Sequence, residues 1–394
     1  MDPYANEWLD FLSRWLHVVA GIVWIGTSFY FIALDNHLEK PGEGAGNGVG
    51  GEAWEIHGGG FYRVQKYRVA PPSLPERLLW FKWEAYTTWL SGFALLIVLY
   101  YFNARTYLID RSVADLSPAA AIAISVGLLA AAWVVYDALC RLIRNELVLV
   151  AAVLGLTTLA AWGCSRLFSG RAEYIQVGAM LGTMMVGNVL FVIIPAHWEL
   201  VRAKEAGREP DPSAGLRGKQ RSVHNNYLTL PVLFAMLSNH FPSTYAHSYS
   251  WLVLVALMVT GAWIRLFFNL RHAGRTVWAI PVTAALAIAA VAVAIRPTGG
   301  GGGPAAAATA VPFARAHAIV QERCVPCHSS HPRKVAVAPK GVTFDTPAEI
   351  AAQAALIEQV AVTTKTMPIG NATDMTQAER DALGAWVRQG AKIK

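Results

Sequence analysis

From Leu9 to Ile295 the chain repeats one event, an apolar run about as long as a bilayer is thick, followed by a polar interruption. The runs fall at roughly 9–34, 85–103, 117–140, 145–167, 172–194, 223–241, 246–268 and 276–295. A hydrocarbon core of about 30 Å takes about 20 helical residues at 1.5 Å each. In lipid the backbone must satisfy its own polar groups, so single runs of this length read as helices. The expectation is an all-α fold in which residues 1–295 form an eight-helix transmembrane bundle. Composition agrees, with 54% hydrophobic and only 15% charged residues in 394. The first run has no basic leader or clear cleavage site and reads as a retained helix, not a signal peptide.

A second constraint is Cys324-Val325-Pro326-Cys327-His328. C-x-x-C-H is the attachment pattern of a c-type haem, with two thioethers to the vinyl groups and an axial nitrogen from His328. The plainer readings are a redox dithiol or half of a zinc site. Zinc needs a second ligand pair, and the other cysteines, Cys140 and Cys164, lie far away in apolar runs. Met367, in Thr366-Met367-Pro368, is the candidate sixth ligand, since a thioether opposite histidine raises the potential. Met375 competes but sits one residue before a helix cap. His328 and Met367 would thus hold the iron.

Around the motif the chain reads as three short helices. Phe313 to Arg323 leads into it. Thr346-Pro347-Ala348-Glu349 is a capping box opening a helix to about Thr363. Thr376-Gln377-Ala378-Glu379 is another, whose helix carries Leu383, Trp386 and Val387 on one face and ends near Gly390. Residues 312–394 are therefore expected to form a small class I cytochrome c domain. Residues 296–311, rich in Gly, Ala and Pro, read as a flexible linker.

Haem attachment occurs outside the cytoplasm, and eight spans put both termini on that side. The loops then assigned to the cytoplasm carry sixteen Lys and Arg, against four in the periplasmic loops. The net charge of +7 is explained by this bias and implies no nucleic acid. The 35–84 loop reads as mobile from Pro41 to Gly60, with an interfacial segment at Trp80, Phe81 and Trp83. Residues 195–209 read as an extension of the fifth helix, stopped at Pro210-Asp211-Pro212.

Polar side chains at membrane depth are site candidates. His17, Gly21, Trp24 and Ser28 form one helical stripe. His17 is a candidate ligand for an additional b-type haem, weighed evenly against a histidine that bonds a neighbouring helix. The sixth run opens with His224, Asn225, Asn226 and Tyr227, an array of imidazole, amide and phenol groups suited to a flat heterocycle with alternating donors and acceptors. Arg265, Asn269 and His272 share a face of the seventh run. Arg265 either snorkels to the interface or clamps an anion. Glu84, Asp137, Asn188, His197 and Glu199 also lie near helix ends, and the sequence does not choose a base among them.

Two stretches, His17 to Gly26 (HVVAGIVWIG) and His224 to His240 (HNNYLTLPVLFAMLSNH), resemble the membrane-bound, cytochrome c-linked urate oxidases. The resemblance covers the whole chain, including eight spans and a C-terminal cytochrome. It implies oxidation of urate to 5-hydroxyisourate in a bacterial inner membrane, with haem c periplasmic. Electrons would pass to a terminal oxidase or soluble cytochrome c. His224, Asn225, Asn226 and Tyr227 would position urate and Arg265 would clamp its charge. Electrons from a cytoplasmic urate site would have to cross most of the bilayer, through a relay at His17 with His240 or His247, unless the site lies nearer the periplasm. The rival is a quinol-oxidising membrane cytochrome. It would need paired inner histidines, and no helix carries two that are well spaced.

Overall fold

The computed structural model describes residues 3–296, 310–335 and 337–393. The expected linker, 296–311, lies almost wholly outside the described residues. The described chain is mostly helical.

Helix α1 spans Pro3–His37. Helix α2, Trp83–Leu95, runs on through a wide turn at Leu96–Tyr101. Helix α3 is Pro118–Leu142 and α4 is Glu146–Leu167. Helix α5 begins at Gly170 and continues to Glu205. Its wide turn at Val189–Ile193 precedes Pro195, which has no N–H to give. Helix α6 is Pro212–Leu237, α7 is Ser250–His272 and α8 is Ala279–Ala294.

The starts are written locally. Ser117, Asn145, Ser169 and Asp211 each accept backbone N–H groups at the opening of α3, α4, α5 and α6, satisfying donors the helix itself leaves free. All eight apolar runs fall in helices. Five stretches are long and apolar enough to cross a membrane: Trp8–His37, Pro118–Leu142, Glu146–Leu167, Gly170–Glu205 and Ser250–His272. Helix α6 opens eleven residues before the expected run at 223, through polar sequence. Helix α8 is 16 residues long.

Helix α5 lies at the centre. Tyr174, Val177, Met180, Leu181 and Met184 have no exposed surface, and α3, α4, α6 and α7 pack around it.

The 35–84 segment departs from expectation. Strands β1 (Val49–His57) and β2 (Gly60–Tyr67) form an antiparallel hairpin. Gly58 and Gly59 both have positive φ, the geometry of a tight two-residue hairpin turn. What reads as loose glycine-rich sequence is thus a turn and its flanking strands. Glu52 holds the base, accepting from Arg63 at 2.8 Å and from the Gly42 N–H at 3.0 Å. Further on, Trp80 stacks on Trp198 of α5 at 4.5 Å.

The C-terminal residues gather a core of their own. Helix α9 (Phe313–Arg323), α10 (Pro347–Ala352) and α11 (Gln377–Arg388) bury Ile319, Val320, Phe344, Ile350, Leu383 and Trp386. Both capping boxes form. The expected helix from Pro347 to Thr363 breaks at Gln353 and resumes from Ala354.

Candidate functional site

Consecutive residues on a helix point about 100° apart. The run His224-Asn225-Asn226-Tyr227 is therefore divided between two neighbourhoods. His224 and Asn225 face α3 and α5. The Tyr136 hydroxyl lies 2.8 Å from His224 Nδ1, and Glu146 Oε2 lies 3.5 Å from its Nε2. Asn188 Nδ2 donates to Asn225 Oδ1 at 2.8 Å and to the Tyr136 hydroxyl at 3.0 Å. Arg221 donates to Asp137 at 2.7 Å and to Asn188 Oδ1 at 3.1 Å. Asn225 Nδ2 donates to the Met185 carbonyl. These groups answer one another, as buried polar networks must.

Asn226 faces the other way, toward α1 and α7. Its Oδ1 accepts from Arg265 Nε at 2.8 Å and from Asn269 Nδ2 at 3.1 Å. The Arg265 guanidinium lies over the ring of Phe29, 3.7 Å from its centre. Asn226 is fully buried and Arg265 is 3% exposed. Arg265 thus does not snorkel; it is turned inward. Four atoms of this group are buried without a partner: Asn226 Nδ2, Arg265 Nη2, Asn269 Oδ1 and His272 Nδ1. An unanswered buried polar atom costs about 1–3 kcal/mol, and the cost is higher when it is charged. Arg265 and three side chains near it thus share unused donor and acceptor capacity. They offer amide and guanidinium donors beside carbonyl and imidazole positions, which suits an anionic heterocycle carrying both N–H and C=O groups. Tyr227 is half-buried within electrostatic reach of Arg265.

Residues 3–296 match the family model described as Urate oxidase N-terminal. The chain belongs to that family. The match takes in the whole bundle and stops before the C-terminal unit. No curated protein and no solved structure matches the chain.

His17 is held by the neighbouring helix. Its Nδ1 lies 3.0 Å from the Thr88 carbonyl and 3.2 Å from Ser91 Oγ, which leaves Nε2 for any further ligand. A Cβ at Gly92 would stand 2.8 Å from the imidazole, so α2 has no side chain there. Among the described residues, no hydrogen bond or ring contact joins His17 to His240 or His247.

His328 Nδ1 lies 3.0 Å from the Val342 carbonyl, which fixes the ring and leaves Nε2 for an axial bond. Cys324 and Cys327 are unpaired thiols. Burial pushes the Cys324 thiol up to about 12, with neighbouring Cys327 adding to it. Met375 is 3% exposed within the apolar core, whereas Met367 is half-buried. Cys324, Cys327, His328 and Met367 are the donor types that a covalent haem takes. Among the described residues, no three His, Cys, Asp or Glu side chains gather into a metal-ion site. A haem needs only two axial ligands.

Several residues were not marked by sequence reasoning. Phe29 is one place beyond the His17 stripe. Arg221 looks like a loop cation, but α6 begins early and buries it to 4%. Glu173 and Gln176 of α5 are buried, each with one unpartnered atom. Their signal was a carboxylate and an amide, three residues apart, inside an apolar run.

Proposed function

We propose that this chain is a membrane-bound urate oxidase with urate bound between α1, α6 and α7, against Arg265, Asn226, Asn269 and His272. The observation that carries this is the set of four unpartnered buried atoms on Arg265 and three side chains near it, in a chain of the urate oxidase N-terminal family. Arg265 Nη2 would pair with the urate anion, and Phe29 would keep the guanidinium plane in place. Asn226 Nδ2 would donate to a urate carbonyl. Asn269 Oδ1 would accept a ring N–H. His272 Nδ1 would take a proton as water adds at C5.

The overall reaction balances as urate plus water giving 5-hydroxyisourate, two protons and two electrons. When bound by Cys324, Cys327, His328 and Met367, a haem supplies a one-electron acceptor, so the electrons leave singly and no peroxide need form. We read the eight helices as spans, residues 296–311 as the tether and residues 312–394 as a cytochrome c domain on the periplasmic side of a bacterial inner membrane. The onward acceptor is a terminal oxidase or soluble cytochrome c. His224 and Asn225 belong to the satisfied network and would support the bundle behind Asn226. Tyr227 would flank the site.

A direct test is thermal unfolding of the detergent-solubilised protein with and without urate. Binding to the native state should raise the midpoint, and the rise should keep growing with the logarithm of urate concentration once that exceeds the dissociation constant. Asn226→Ala should remove the rise. An equal rise in that variant would take Asn226 out of the site.

A further inference from the structure

The C-terminal unit touches the bundle at a pair of short turns. The single turn Ala104–Tyr107, between α2 and α3, packs against the turn Ile369–Asn371. At the contact stands Gly370, with φ of +55°. A Cβ there would overlap the Thr106 carbonyl oxygen and lie 3.0 Å from that of Ile109. Two backbones therefore meet where only glycine leaves room.

Charges on the two sides are crossed. Arg111 lies 4.0 Å from Asp374. Asp110 attracts Arg380, which donates to the Met367 carbonyl at 2.7 Å, to the Ala361 carbonyl, and to Asn371 Oδ1 at 3.2 Å. Arg380 thus shapes the loop that carries Met367 while feeling a carboxylate of the bundle. The Arg111–Asp374 pair is exposed and adds little by itself. The close approach at Gly370 carries the fit.

The receiving surface is braced. The Ser169 N–H donates to the Leu108 carbonyl at 3.0 Å, and its hydroxyl donates to the Tyr107 carbonyl at 2.8 Å. Arg171 lies over the Tyr107 ring and donates to Asn239 at 2.9 Å. Leu108 and Ile109 are buried. Residues 104–111 are therefore fixed to the start of α5.

We propose that residues 104–111 are a docking platform for the methionine loop, residues 366–375, of this same chain. The surface stands on its own contacts. Its consequence rests on the haem reading, because the loop that would carry the sulfur ligand is then the face turned toward the bundle.

The test is reciprocal photocrosslinking in the full chain. A benzoylphenylalanine replacing Arg111 should capture the tryptic peptide Thr366–Arg380. One replacing Asp374 should capture Thr106–Arg111. Both captures should be independent of protein concentration, as for a contact within one chain. Capture of neither peptide, or only capture that vanishes on dilution, overturns the proposal. Neither probe needs urate or turnover, so failure here would leave the urate reading standing, and failure of urate binding would leave the docking result intact.

Discussion

Replacing Arg265 by Met separates a binding role from a structural one. The change removes a buried cation but keeps a long apolar stem beside Phe29. Asn226 Oδ1 would lose the 2.8 Å donor and keep Asn269 Nδ2 at 3.1 Å, so no new unpartnered oxygen is made. The unpartnered Nη2 disappears. The lost hydrogen bond and cation–π contact each contribute about 0.5–3 kcal/mol, and the removed orphan returns about 1–3 kcal/mol. The two losses together exceed the return at mid-range, so the urate-free protein should lose about 1–2 kcal/mol of stability. Urate should suffer far more. Losing one partner of a buried, hydrogen-bonded charge pair costs about 2–5 kcal/mol, or about thirty-fold to several thousand-fold in affinity. Urate titration followed by thermal unfolding of the solubilised protein reads both quantities. A strongly destabilised variant that still binds urate normally would refute the reasoning and make Arg265 a structural tie between α6 and α7.

Further outcomes follow from the same geometry. Gly92→Ala should push His17 off α2 and destabilise the α1–α2 contact by about 1–3 kcal/mol, read as a lower melting point with urate binding retained. Met367→Leu should change the haem spectrum and lower its potential, whereas Met375→Leu should leave both and cost less than about 1.5 kcal/mol of stability. Burial pushes the Glu379 carboxyl up, but hydrogen bonds from Arg323 and from Thr376 outweigh this and hold it below its usual value of 4.5. A carboxylate held down in the folded state stabilises above its unfolded pKa and loses that stabilisation as pH falls through the folded one. The C-terminal unit should therefore weaken only below about pH 4.5, and Glu379→Gln should weaken it at neutral pH while flattening that acid dependence.

Much of the helical layout was legible because apolar run length and capping boxes are local signals. The eight runs lie largely within helices, five of them long and apolar enough to cross a membrane, and the ends of α9 and α11 and both caps sit where their local signals put them. The hairpin was hidden because Gly58-Gly59 reads equally as looseness or as a tight turn, and only pairing across it decides. The site was half legible. Asn226 and Arg265 stood out as polar groups in apolar runs, and Asn269 and His272 shared the Arg265 face. Which of four adjacent residues faces α7 depends on the rotation of α6, which no spacing within α6 records. Phe29 and the Gly370 contact depend on packing between distant segments, so the sequence carries no local mark of them.

Electrons remain the central issue. Arg265 lies fifteen residues from Ser250, which is at the α7 end nearest the docking platform, or roughly 22 Å along the helix at 1.5 Å per residue. At that end Tyr107, in the platform itself, has its ring centre 6.2 Å from that of Tyr100. The deciding measurement is anaerobic mixing of the fully oxidised protein with urate while the visible spectrum is followed. Urate should reduce the c-type bands, with two equivalents of haem reduced per urate consumed, and a quinol should not. Bands that stay oxidised with urate but are reduced by a quinol would contradict the proposed urate oxidation.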